Sequence, residues 1–186
     1  MKKNLKKKST AIKKFIDKSI GEWKSIRSTH TLAFQEFENT TSNLIISYLD
    51  INNSEVVNIV KKFNFELKPE FAISISWVET TNWSDKEKNQ NETILVFLPK
   101  DSTSGVILRN KGYSELIDCH SSYLLDSKDY LDIFTEYNTT ISEEKVWFLS
   151  KNVRTRYSII KNKNYNSIIQ TSHSSEIRKI ITSEVE

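Results

Sequence analysis

The chain has 186 residues, 37% hydrophobic, 27% charged and 11% aromatic, with 3 Gly and 2 Pro; this suits one domain with one core and excludes a disordered or collagen-like chain. The formal charge of +3 is uneven, because the first 20 residues hold 8 Lys and 1 Asp while the remainder is acidic by 4, so no basic stripe crosses the body and nucleic acid is excluded as a partner. Apolar runs such as Leu44–Leu49 are too short for membrane insertion, the Lys-rich start lacks a secretory signal's apolar stretch, and the single Cys119 cannot form an internal disulfide; a soluble protein of a reducing, cytoplasmic compartment is expected.

Residues 1–8 read as a solvated Lys-rich terminus and 9–186 as a single domain. Residues 9–20 read as a helix. Ser9 or Thr10 can cap it, Ile12, Phe15, Ile16 and Ile20 share one stripe, and Gly21 ends it. Aromatic and β-branched residues predict strands from Trp23 to about Leu32 and from Thr41 to Leu49, with Asn39-Thr40-Thr41 as the turn. Ser54-Glu55 opens a second short helix whose apolar face is Val56, Val57, Ile59, Val60 and Phe63, and Pro69 closes that excursion.

From Phe71 onward the pattern has a two-residue period: Phe71, Ile73, Ile75 and Trp77 alternate with Ala72, Ser74 and Ser76. Further strands are predicted at 92–98, 105–110, 113–125, 130–137, 144–150, 153–161 and 165–180, with short polar turns between them. Sequential strands on short turns pair antiparallel, and a meander of this length removes its edges by closing on itself. The expected fold is all-β: ten antiparallel strands in an up-and-down barrel, with an N-terminal helix and a second short helix. Such a barrel is either filled by side chains or holds a small ligand.

Three scattered glycines make neither a dinucleotide fingerprint nor a phosphate loop. Cys119 and His120, as neighbours on a strand, point to opposite faces, so no metal site is expected. Cys119 itself reads as a small buried hydrophobe. Lys outnumbers Arg by 22 to 5, which makes the arginines the informative cations. Arg154, Arg156 and Ser158 share one face of a strand, with the two guanidinium groups about 7 Å apart. That fork suits carboxylates or phosphates, although a strand with one wet face has the same pattern. Glu144 lies one hairpin away, and Arg27 on the first strand is a third candidate cation. Trp77 and Trp83 bracket a polar turn at Glu79–Asn82; they are core, or at a barrel mouth they stack on a flat, conjugated ligand. Glu136 either turns inward or stays on the outer face.

The stretch from Gly21-Glu22-Trp23 through Arg27-Ser28-Thr29-His30 to Phe34 resembles the opening of the S-type phycobiliprotein lyases. Ile75-Ser76-Trp77, Phe134-Thr135-Glu136-Tyr137 and Glu144-Lys145-Val146-Trp147-Phe148, with Arg154-Thr155-Arg156 following, match in the same order and at family spacing. The resemblance runs over residues 12–180 and leaves out the Lys-rich start. It implies a lipocalin-like (calycin) barrel that binds a linear tetrapyrrole, a bilin, without covalent attachment. The barrel then passes the bilin to a cysteine of an apo-phycobiliprotein subunit as a thioether. It points to phycoerythrobilin and phycoerythrin, to no permanent cofactor, and to homodimers among its members. In a eukaryotic phototroph it would place the protein in the plastid stroma or its lumen equivalent.

Residue by residue, the resemblance implies Glu144 and Arg154 as catalytic, and Arg27, Trp77, Trp83, Arg156 and Ser158 as bilin-binding. Substituting Glu144 or Arg154 by Ala is then expected to impair pigment handling with little change in stability. Two other readings share the barrel: a carrier of an apolar ligand that does no chemistry, and a scaffold with a filled interior.

Overall fold

The computed structural model describes residues 10–81, 84–112 and 114–180, and of residues 79–81 and 84–90 the backbone alone. Helix α1 spans Ala11–Ser19, and the Thr10 hydroxyl caps it by accepting the Lys13 amide at 3.3 Å. Strands β1 (Gly21–Thr31) and β2 (Glu36–Leu49) follow, then α2 (Ser54–Lys62), β3 (Phe71–Thr81), β4 (Ser84–Pro99), β5 (Ser104–Arg109), β6 (Cys119–Leu125), β7 (Leu131–Glu136), β8 (Thr140–Ser150), β9 (Val153–Asn162) and β10 (Ile168–Arg178). Each strand pairs antiparallel with the next, and β10 pairs with β1, so the ten strands close into a barrel with no edge left to aggregate. The fold is the one the sequence pattern predicts.

Several boundaries differ. The first hairpin turns at Leu32–Gln35, with Gln35 at a positive φ of 54° and Thr31 opposite Glu36 as the last pair. Asn39-Thr40-Thr41, the expected turn, lies inside β2. Its Asn39 faces out and accepts a hydrogen bond from Ser28 across the ladder at 2.8 Å, so an asparagine that reads as a turn former is a cross-strand partner instead. β6 begins at Cys119 rather than 113. The preceding loop folds against Tyr137, and at Gly112 a Cβ would strike that ring and the Glu115 carbonyl. Glu79–Thr81 extend β3, whereas Asn82 and Trp83 lie outside the described residues.

The two helices do different jobs. α1 closes one end of the barrel with Ile12, Phe15 and Ile16, which pack among Trp23, Ile46, Phe71 and Phe97. Phe15 meets Phe148 edge-on at 5.2 Å, and the Trp23 indole donates to the Ser19 carbonyl at 2.9 Å. Gly21, at φ 127°, turns the chain from α1 into β1, and a side chain there would strike Arg178. α2 instead lies on the outer wall, where Val56 and Ile59 cover Ala72, Ile94, Val96, Leu98 and Leu108. Covered on both faces, β4 reads as a continuous apolar run from Ile94 to Leu98 rather than an alternation. Among the described residues, no helix is long and apolar enough to cross a membrane.

Candidate functional site

Inward positions change character along the barrel axis. On β1 they run Trp23, Ser25, Arg27, and on β8 Phe148, Val146, Glu144, from the α1 end toward the open end. The result is a cavity of about 300 Å³ in the open half. Leu44, Ile75, Trp77 and Leu95 from β2–β4 give it an apolar wall, while Arg27, Arg156, Glu144, Glu176 and Ser174 give the opposite wall charge and hydroxyls.

Strand register explains how these groups meet. Arg27 on β1 and Arg156 on β9 both pair with Ser174 on β10, so the two arginines flank one serine in a single row. One row nearer α1, Arg154 pairs with Glu176. One row nearer the mouth, Ser158 pairs with Ser172 and with Glu144. The fork read from the sequence is therefore split by depth.

Arg154 is 3% exposed and donates its Nε–H to Glu176, itself 2% exposed; its guanidinium lies 4.7 Å from the centre of the Trp23 ring. Burial pushes the Arg154 guanidinium below its usual value, and the Glu176 carboxylate works against that shift. Glu176 lines the cavity, with Arg154 on its inner side. Arg156 and Arg27 are half-buried and line the cavity, as does Trp77. The Ser158 and Ser172 hydroxyls are hydrogen-bonded to each other at 2.7 Å and buried. Glu144 accepts from Arg109 Nη2 at 3.0 Å, with the two residues 5% and 6% exposed. Trp83 lies outside the described residues.

Arg109 and Glu176 were not singled out by the sequence. Glu176 had a signal: Ser172, Ser174 and Glu176 alternate inward, and a turn centred near residue 165 sets them against Ser158, Arg156 and Arg154. Arg109 had less, since it ends an apolar strand and its partner lies across two intervening strands. Glu136 faces out and pairs with Lys163 at 2.6 Å, which holds its carboxyl below the usual range. The buried Cys119 faces in, and burial pushes its thiol up; the exposed His120 faces out against Phe63 and Phe65. Among the described residues, no three His, Cys, Asp or Glu side chains converge to hold a metal ion.

Taken with Arg154 behind Glu176, the lining sets four arginines (27, 109, 154 and 156) and Lys111 against three carboxylates (Glu92, Glu144 and Glu176). The excess of two positive charges in a half-apolar chamber suits a flat, apolar molecule bearing two anionic groups. A closed meander plugged by a helix at one end and hollow at the other defines a lipocalin-like barrel with an open cavity. The chain belongs to the CpeS-like protein family, that of the S-type phycobiliprotein lyases, whose family model matches residues 11–179. It is 35% identical over 172 residues to chromophore lyase CpcS/CpeS 3 of Trichodesmium erythraeum, covering 90% of this chain and 98% of the relative. It is 34% identical over 176 residues to a chromophore lyase CpcS/CpeS of Thermosynechococcus vestitus, covering 92% and 94%. Among solved structures, the S-type phycobiliprotein lyase CPES of Guillardia theta superposes with a TM-score of 0.79 at 27% identity, over 94% of this chain and 96% of that one.

Proposed function

We propose that this chain is a bilin lyase that holds phycoerythrobilin non-covalently in the cavity and delivers it to a cysteine of an apo-phycoerythrin subunit. The observation that carries this reading is the lining's excess of positive charge, with Arg27 and Arg156 set in one row on either side of Ser174. An open-chain tetrapyrrole carries two propionates, a row of pyrrole N–H groups and a conjugated plane. Arg27 and Arg156 pair with the propionates. Trp77 and the apolar wall take the plane. Glu144 accepts a pyrrole N–H, or keeps the pigment protonated and hence more electrophilic. Arg154 acts through Glu176, which it orients; Ser158 and Trp83 complete the contacts that the family resemblance implies.

The chemistry asks little of the protein beyond geometry. The partner's thiol adds across a double bond of the pigment; a carbon–sulfur bond forms, the proton ends on carbon, and nothing leaves. Free bilin coils and reacts with poor selectivity, so a pocket that fixes its shape raises rate and fidelity by orientation. Because α1 plugs the other end, the acceptor subunit meets the pigment at the open mouth. Exposed Phe34, Leu116 and Tyr165 stand on the loops at that end. A reducing compartment keeps the accepting thiol available.

Mixing the pure chain with phycoerythrobilin tests the first half of the reading, with a sharpened, red-shifted band expected. An unchanged free-pigment spectrum overturns it. Adding apo-subunit tests the second half, because transfer leaves acid-stable colour on the partner. A shifted band with no transfer assigns the chain as a carrier. The same assay with phycocyanobilin fixes the pigment preference.

A further inference from the structure

We propose that Arg109 is a positioning residue, and that it and Glu144 form one carboxylate–guanidinium unit presenting an oriented acceptor to the pigment; this rests on the function proposed above. Arg109 ends β5 and Glu144 sits on β8, so their contact at 3.0 Å bridges β6 and β7 through the interior. The sheet does not need that bridge, since β5 to β8 are already joined ladder by ladder. Nor is stability a sufficient reason for it. A buried ion pair is often no better than an apolar pair of the same volume. The Arg109 Nε–H is buried with no hydrogen-bond partner among the described residues, an expensive flaw in a purely structural contact.

Orientation gives the pair a reason to exist. Both residues line the cavity, and Glu144 Oε1 is held by the guanidinium. Without Arg109, the neighbouring strand offers Glu144 the cation Arg156, one row deeper, which the proposed function reserves for a propionate. Arg109 therefore fixes where the carboxylate points and keeps it from competing with the ligand.

The test is a double-mutant cycle of Arg109→Gln and Glu144→Gln, with Arg109→Lys as the conservative variant, read by the bound-pigment band and by transfer to apo-subunit. Each single Gln variant should displace the band and slow transfer about tenfold or more, and the double variant should be no worse than Glu144→Gln alone. Arg109→Lys should recover part of the band shift, because it keeps the charge but not the fork. Losses that multiply, or a wild-type band and rate in Arg109→Gln, would overturn the assignment. Should the unmodified chain bind no pigment, the functional reading fails instead. The coupling is then read from melting temperatures of the four pigment-free chains, where additive shifts refute it and non-additive shifts retain the unit. If Arg109→Gln does not fold, the cycle is run with Arg109→Lys, and additivity there is equally decisive.

Discussion

The two ends of the barrel are made from the same ten strands, yet one is solid and the other hollow. At the α1 end, Trp23 is fully buried, Phe71 stacks on Phe97 at 4.7 Å, and the β4–β5 and β6–β7 turns are pinned by Asp101 and Asp126. At the open end, the inward positions carry arginine, glutamate and serine, and the rim exposes Phe34, Leu116 and Tyr165 by 74%, 84% and 82%. Two residues of advance along β1, from Trp23 to Ser25, are enough to pass from one regime to the other. Stability and chemistry are thereby separated by depth: the plug supplies the burial that lets the mouth remain open and charged.

The largest effect expected from breaking this division is at the plug. Trp23→Ala removes a buried indole and its bond to Ser19, and should cost ~3–5 kcal/mol in chemical denaturation. Arg154→Ala comes next, and here the structure changes the expectation drawn from sequence. Arg154 is buried on Glu176, so its loss strands a carboxylate that is 2% exposed, and stability should fall by ~3–5 kcal/mol, not stay level. Replacing both residues by apolar ones should restore most of that loss and still leave pigment transfer impaired, which would sharpen the distinction between scaffold and site. Arg156→Ala, at half-buried depth, should do the reverse. Its melting point should move little, while bilin titration shows affinity weakened by about 10- to 100-fold, the value of one charge-assisted hydrogen bond.

The smallest effect concerns pH at the closed end. Asp101 is held well below the ordinary carboxylate range by the Ser104 hydroxyl and by the Thr103 and Ser104 amides, in the turn whose Ser102 receives the first amides of α1. A depressed folded-state value means that this stabilisation is full above the usual aspartate pKa of about 3.9 and is lost as pH falls through the lower folded value. Asp101→Asn should therefore lower the melting point slightly at neutral pH, with the gap to the unmodified chain closing in strong acid.

Much of this was readable from residues alone, and the reasons are specific. The alternation on β9 places Arg154, Arg156 and Ser158 on one face whatever the tertiary fold, and the scarcity of arginine made them conspicuous; all five arginines do occupy inward positions. Closure followed from ten strands on short turns. Depth was not readable, because alternation says which face a side chain takes but not how far along the barrel it lies. Arg154 and Arg156 look equivalent in sequence, and register alone separates a buried ion pair from a cavity-lining cation. Arg109 was missed for a related reason, since its partner is set by barrel closure rather than by any neighbouring strand. The misplaced first turn came from reading Asn39 by its local preference when a cross-strand hydroxyl had the stronger claim.

In the function proposed above, paired guanidinium groups in the open half recognise the two propionates of an open-chain pigment. The most direct measurement is a spectrophotometric titration of the chain with phycoerythrobilin and, separately, with its dimethyl ester, which keeps the chromophore and removes both negative charges. A shifted, saturable band is expected with the diacid, and binding weaker by at least about 100-fold with the ester, from two charge-assisted contacts at ~1.5–3 kcal/mol each. Equal binding of the two would contradict that recognition.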